Sequence, residues 1–304
     1  MKTINCEVIT PMFSYGNNST PELRPTELKG LMRYVYRMTQ QVESKKLFQL
    51  ESKRFGNTDT PSPLRLQMKK TEGSFSYEDN SITLHDRKKK TDLNSIKVGS
   101  TFEIILRLRK GHETEMQWYE EMIQLSFYLF SMGRRARRAR GCVMIRFQDK
   151  TILETQTDIV RLLNKIANDG REQKEDSYQL DTTKNEIYPL QVFHEMRPLI
   201  QKISFGKTFS EEELGAFLKR VDNAGHLTKR ATWSSAIDPT GSTKMASAII
   251  VSVTKTKEGY LPIYTYVKAV YKDKKDKKGK KVEVVDSKCE ERLEFQKKIE
   301  EVEQ

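Results

Sequence analysis

The sequence has little of what disulfide-built proteins and hydrolytic enzymes use most. Only three cysteines, Cys6, Cys142 and Cys289, occur in 304 residues, far apart and never as a C-x-x-C pair. That excludes a disulfide scaffold and a cysteine zinc site, and it fits a reducing compartment. The four histidines, His85, His112, His194 and His226, each stand alone in the chain, with no H-E-x-x-H spacing. There is no G-x-G-x-x-G. Gly206-Lys207-Thr208 resembles the tail of a phosphate-binding loop, but Gln201 stands where the required earlier glycine belongs, so the segment reads as a turn before a helix. No apolar run approaches the roughly 20 residues of a membrane span, and the polar–apolar alternation of residues 2–10 is unlike a secretion signal. No fixed-period repeat is present. These absences lead us to expect a soluble, cytoplasmic protein with no catalytic residue, no metal and no cofactor.

What is abundant is charge. Asp, Glu, Lys and Arg make up 32% of the chain, 36% is apolar, and the net charge is +12. The length suggests two domains with a core each, expected at 1–150 and 151–304. Lys and Arg exceed Asp and Glu by 10 in the first of these and by 2 in the second. A one-sided basic excess points to a polyanion, of which nucleic acid is the commonest.

Periodicity places the elements. Ile4, Cys6 and Val8 alternate with polar residues, a half-buried strand, and a turn-rich loop follows from Pro11 to Pro25. Pro25 suits a first helical turn, after which Leu28, Leu31, Met32, Val35 and Met38 form a core stripe. Residues 64–69 and 102–109 alternate as strands, with 86–99 expected as a solvated loop between them. Thr114 is expected to cap a helix to about Met132, Gly133 to stop it, and Cys142–Phe147 to return as a strand. Strand, helix, strand, strand, helix, strand is the order of a ferredoxin-like, split βαβ domain, whose open sheet face is a common RNA-binding platform. In the second half, helices are expected at 152–168 and from Ser210 through Val221, with Arg171–Lys184 as loop. Strands are expected at 246–254 and 261–271, then a lysine-dense turn at 272–281, a short strand at 282–285 and a charged helix opening at Ser287-Lys-Cys-Glu290.

Two basic features stand out. Lys29, Arg33 and Arg37 recur every four residues and so form one line down a helix, where like charges repel. Between Gly133 and Gly141 lie Arg134, Arg135, Arg137, Arg138 and Arg140, five guanidiniums in seven residues. Such crowding on a compact loop is relieved by a phosphate chain, whose oxygens match the guanidinium fork. Ala136 and Ala139 leave room for a close approach. Tyr34, Tyr36 and Trp233 are candidates either for base stacking or for the core.

These residues resemble a known family. Thr10-Pro11-Met12-Phe13, the loop with Gly16, and Leu23-Arg24-Pro25-Thr26-Glu27-Leu28-Lys29-Gly30-Leu31-Met32-Arg33 are similar to the N-terminal signature of the RAMP superfamily of CRISPR proteins. Within it, the likeness is to first subunits of type III-B Cmr effector complexes. Phe55-Gly56-Asn57-Thr58 matches the family's Phe-Gly step, and Gly133–Gly141 sits at its glycine-rich loop, here with arginines for small residues. Ala231–Ala236 and Tyr260-Leu261-Pro262-Ile263 look like a weaker second copy. The resemblance implies an α+β chain of two ferredoxin-like (RRM-like) RAMP domains in tandem, the second more divergent. It implies a non-catalytic, RNA-binding subunit of a type III CRISPR ribonucleoprotein in antiviral defence, which holds the 3′ part of the guide crRNA, helps capture target RNA and adjoins other Cmr-type RAMP subunits. The residues expected to contact RNA are Arg24, Lys29, Gly30, Arg33, Arg37, Arg54, Gly133, Arg134, Arg135, Arg137, Arg138, Arg140 and Gly141. The alternative within the superfamily is an endoribonuclease that processes guide precursors, with His194 or His226 as general base.

Overall fold

The computed structural model describes residues 1–16, 20–83, 90–146, 148–171, 174–193, 195, 197–227, 248–268, 274–275, 281–282 and 289–301. The segments expected at Asn17-Asn18, His85, Asp86–Lys89, His194, Ala231–Ala236 with Trp233, and Ser287-Lys288 lie outside the described residues. The side chains of His226 and Cys289 lie outside them too.

The chain opens with β1 (Lys2–Val8), α1 (Pro25–Thr39), α2 (Ser44–Phe55), β2 (Leu64–Lys70), β3 (Tyr77–Thr83), β4 (Lys90–Ile96), β5 (Thr101–Leu108), α3 (Met116–Leu129) and β6 (Val143–Ile145). Four of these strands make one antiparallel sheet in the order β2-β5-β1-β6. β1 and β2 are parallel to each other with β5 between them, as are β5 and β6 with β1 between them. That is the split βαβ arrangement of a ferredoxin-like domain. Its helices bury the stripe read from sequence: Leu28, Met32, Val35 and Met38 are fully covered, with Leu31 nearly so. Each such side chain contributes about 1.5–3 kcal/mol by leaving water.

The stretch 44–55, to which the sequence assigned no element, forms α2. Four local expectations are corrected. β4 falls within 86–99, expected as loop, and pairs with β3 as a separate hairpin, its polar sequence hiding the strand signal. A strand at Tyr178–Asp181 falls within 171–184, also expected as loop. A short 3-10 turn, Glu113–Glu115, precedes α3, so Thr114 caps nothing. α3 ends at Leu129, four residues before Gly133, because Met132 leaves the helix to donate its N–H to the Gly141 carbonyl at 2.9 Å.

The second half comprises α4 (Ile152–Ala167), β7 (Tyr178–Asp181), β8 (Glu186–Pro189), β9 (Ile200–Phe205), α5 (Leu214–Leu227), β10 (Ile249–Thr256), β11 (Gly259–Val267), the short pair β12 (Lys274–Lys275) and β13 (Lys281–Val282), and α6 (Cys289–Glu300). Its five-stranded sheet runs β10-β11-β9-β8-β7. Strands β9 and β10 are parallel across β11 and joined through α5, again a split βαβ. The place beside β9 is filled by β8, which precedes it in the chain. Thr151 caps α4 in a full capping box, Thr151 Oγ1 accepting from the Glu154 N–H. The core crosses residue 150: Ile159, Leu162, Leu163 and Ile166 of α4 join the cluster under α1 and α3, and Ile9, Ala139 and Cys142 join the one under α5.

Candidate nucleic-acid interface

The two basic motifs meet because the loop that follows α3 is docked on the segment that follows β1. Arg134 N–H donates to the Phe13 carbonyl and Gly141 N–H to the Pro11 carbonyl, both at 2.9 Å, while Cys142 N–H donates to Thr10 Oγ1 at 2.8 Å. Gly133 and Gly141 have φ of +88° and +77°. A Cβ on Gly133 would lie 2.8 Å from the Phe13 carbonyl, and one on Gly141 only 1.9 Å from the Met132 oxygen. Both positions therefore require glycine for conformation and for closeness. In the first turn of α1, Glu27 completes the dock: its carboxylate accepts the Gly133 N–H and, at 2.5 Å, the Ser14 hydroxyl. A carboxylate is favoured at that end of the helix dipole.

The loop's far side rests on the second sheet. Ala139 N–H donates to the Val251 carbonyl at 2.8 Å and Val251 N–H to the Arg137 carbonyl at 3.1 Å, a parallel bridge onto β10, the edge strand. Arg135 and Ala139 adopt φ of +60° and +55°, left-handed conformations that non-glycine residues hold only when their surroundings enforce them.

The guanidiniums have partners within the fold, which corrects the view that only a phosphate relieves their crowding. Arg135 and Arg140 both pair with Asp222 of α5 at 2.9 Å. Asp222 and Arg140 are buried. Burial pushes the Arg140 and Arg138 pKa values down against the pull of Asp222. Arg137 donates to the Tyr34 hydroxyl at 2.7 Å and lies over the Tyr34 and Phe130 rings. Arg134, the exposed member, lies over Tyr15.

On α1, Arg33 and Arg37 grip the buried Glu51 of α2 at 2.6 and 2.5 Å. Burial pushes the Glu51 carboxyl up, but hydrogen bonds from Arg37 and Arg33 outweigh it and hold the pKa below the usual carboxylate value. Lys29, one turn earlier, has its pKa lowered by burial and by Arg33. Gly30 is exposed with open space around it. Arg24 donates to the Tyr15 main-chain carbonyl at 2.8 Å and lies 3.7 Å from the Glu22 carboxylate, so it and Arg134 both contact Tyr15, one at its backbone and one over its ring. Arg54 faces inward: it binds Asp169 through two hydrogen bonds of 2.6 and 3.0 Å, pairs with Glu115 at 3.1 Å and covers Trp118. Tyr36 is fully buried, with its hydroxyl on Asp169, and belongs to the core. His112 lies 3.4 Å from Glu115. Among the described residues no three His, Cys, Asp or Glu side chains gather as metal ligands, and no helix is long and apolar enough to cross a membrane.

Sequence reading missed the carboxylates Glu27, Glu51, Asp169 and Asp222. Glu51 alone left a trace, standing in register between Leu47 and Phe55 on the apolar face of α2.

An N-terminal ferredoxin-like sheet, with a glycine-bounded loop docked on the first strand–loop–helix unit, defines an α+β protein. Residues 5–143 match the model of the RAMP superfamily, so the N-terminal unit is a RAMP domain. The more divergent second unit is also rich in β-sheet. No curated protein matches the chain. Among solved structures, it is similar to apo Cmr1 from Pyrococcus furiosus, at 15% identity and TM-score 0.51 over 89% of each chain. It is also similar to a chain of the type III-B Cmr-beta assembly bound to cognate target RNA, at 12% identity and TM-score 0.55 over 98% of each chain. At these identities the likeness is one of fold.

Proposed function

We propose that this protein is a non-catalytic, RNA-binding subunit of a type III CRISPR effector of the Cmr kind, standing where the first Cmr subunit stands. It holds the 3′ part of the guide and helps capture target RNA, next to other RAMP subunits. One observation carries the reading: the Gly133–Gly141 loop is locked onto the β1–α1 unit, so that Arg24, Arg134 and Arg137 of two distant segments gather around Tyr15 and Tyr34, with Lys29 and Arg33 along the same helix. Backbone-directed cations of this kind hold RNA without reading its sequence, which suits a guide whose bases must stay free to pair. In this reading Arg138, Arg140 and Arg54 frame the surface and the more exposed cations touch phosphate. The second unit is then a diverged ferredoxin-like copy, with β8 in the place of its fourth strand.

The test is binding of single-stranded guide-like RNA at increasing salt. Changing Lys29, Arg134 and Arg137 together to Gln should flatten the log–log salt slope by about 2 units, given roughly 0.7 per neutralised phosphate on a single strand. A slope and affinity equal to those of the unaltered protein would refute the interface.

A further inference from the structure

A second concave surface lies on α2, and neither basic motif accounts for it. A cavity of about 450 Å³ opens between α2, residues 57–63 and the end of β5, a size typical of small-ligand sites. Phe48 lines it and is 61% exposed. The helix has no core use for that ring, since Leu47 and Phe55 make its buried contacts. Pro61 and Pro63, from the turn that follows α2, line it as well, as does His112. That turn is held in place: Asn57 Oδ1 accepts the Asp59 and Thr60 N–H groups at 2.9 and 2.6 Å, and its Nδ2 donates to Ser52 Oγ at 3.1 Å. Gly56, at φ +77°, lets the turn fold back so tightly that a Cβ there would lie 2.5 Å from Ser62 N. Lys53 and Arg109 stand at the rim, and no carboxylate lines the cavity. Gln49 adds a polar amide beside the ring.

The geometry points to a stacking site for one unpaired base of single-stranded RNA, a proposal that rests on the RNA-binding reading above. Phe48 is the platform, the prolines line the cavity with it, and Lys53 and Arg109 take the flanking phosphates. Aromatic faces with cations alongside are how proteins hold single strands without strict sequence choice. Two cations, no carboxylate and a flat ring suit a nucleotide better than the apolar side chain of a protein partner.

The probe is a short oligouridylate carrying one 2-aminopurine, whose fluorescence is quenched on stacking, titrated with the full chain. Phe48→Ala should weaken binding at least fivefold and abolish the quenching, from a stacking contribution of roughly 1–3 kcal/mol per base, while Phe48→Tyr retains both. Phe48 is exposed, so the thermal melt of Phe48→Ala should match that of the parent. Lys53→Ala with Arg109→Ala should flatten the salt slope by about 1.4 units. If the parent binds the oligonucleotide and Phe48→Ala equals it in affinity and quenching, this site is overturned and the interface on α1 stands. Loss of a co-purifying protein by that same variant would then mark the cavity as a protein contact. If the parent binds no RNA, both readings fall.

Discussion

Asp222 offers the sharpest test of how the arginine loop is held. Its carboxylate is buried between Arg135 and Arg140, at 2.9 Å from each, and Arg140 is itself only 7% exposed at the side chain. Replacing Asp222 with Ala leaves Arg140 charged, desolvated and without its carboxylate. Breaking a buried ion pair from one side costs roughly 3–5 kcal/mol, because the partner charge is stranded. That is a large share of the roughly 5–15 kcal/mol by which a domain is stable. Removing both charges is far gentler, so Asp222→Ala combined with Arg140→Met should recover much of the loss. Urea unfolding of the parent, both single variants and the double variant closes a double-mutant cycle, with an expected coupling of about 2–3 kcal/mol. The same loss should weaken RNA binding, since Arg135 and Ala139 keep left-handed backbone only while the loop is anchored. A coupling below about 0.5 kcal/mol, within ordinary additivity, would show that Asp222 does not organise the loop.

Two glycines should behave oppositely. Gly141→Ala forces a Cβ to 1.9 Å from the Met132 oxygen at a φ of +77° and should cost about 3 kcal/mol or more, read as a lowered urea midpoint. Gly30→Ala, on an exposed helical position with open space around it, should raise stability by about 0.5–1 kcal/mol, yet weaken RNA binding if the strand passes over α1. The Glu51 clamp predicts acid sensitivity. The folded pKa of Glu51 lies below its ordinary value of 4.5, so its stabilisation is full above that value and is lost as pH falls through the folded pKa. Unfolding free energy measured between pH 6 and pH 3 should fall less steeply in Glu51→Gln than in the parent.

Much of the architecture was legible from periodicity. The alternation expected at 2–9, 64–69 and 102–109 and the helical stripe at 28–38 correspond, within a residue or so at the strand ends, to β1, β2, β5 and α1. The strands expected at 246–254 and 261–271 overlap β10 (Ile249–Thr256) and β11 (Gly259–Val267), offset by two to four residues at their ends. What escaped was polar. α2 carries a buried glutamate in its apolar face, and β3, β4, β7 and β8 are short or charged, so tertiary pairing and not side-chain pattern defines them. Of the proposed interface, the cations were visible as a cluster and a stripe. Their counter-charges were not, because Asp222 lies 82 residues or more from the arginines it binds and Asp169 lies 115 from Arg54.

The amino-acid order by itself determined which segments are amphipathic, where the positive charge concentrates and which glycines bound the arginine run, because these depend on neighbours along the chain. Only the tertiary structure decided how much of that charge faces outward. It seats two arginines on Asp222, two on Glu51 and one on Asp169. The physical reason is distance: a charge is neutralised by whatever lies within a few ångströms of it, and which side chains come that close is settled by how the helices, loops and sheets pack.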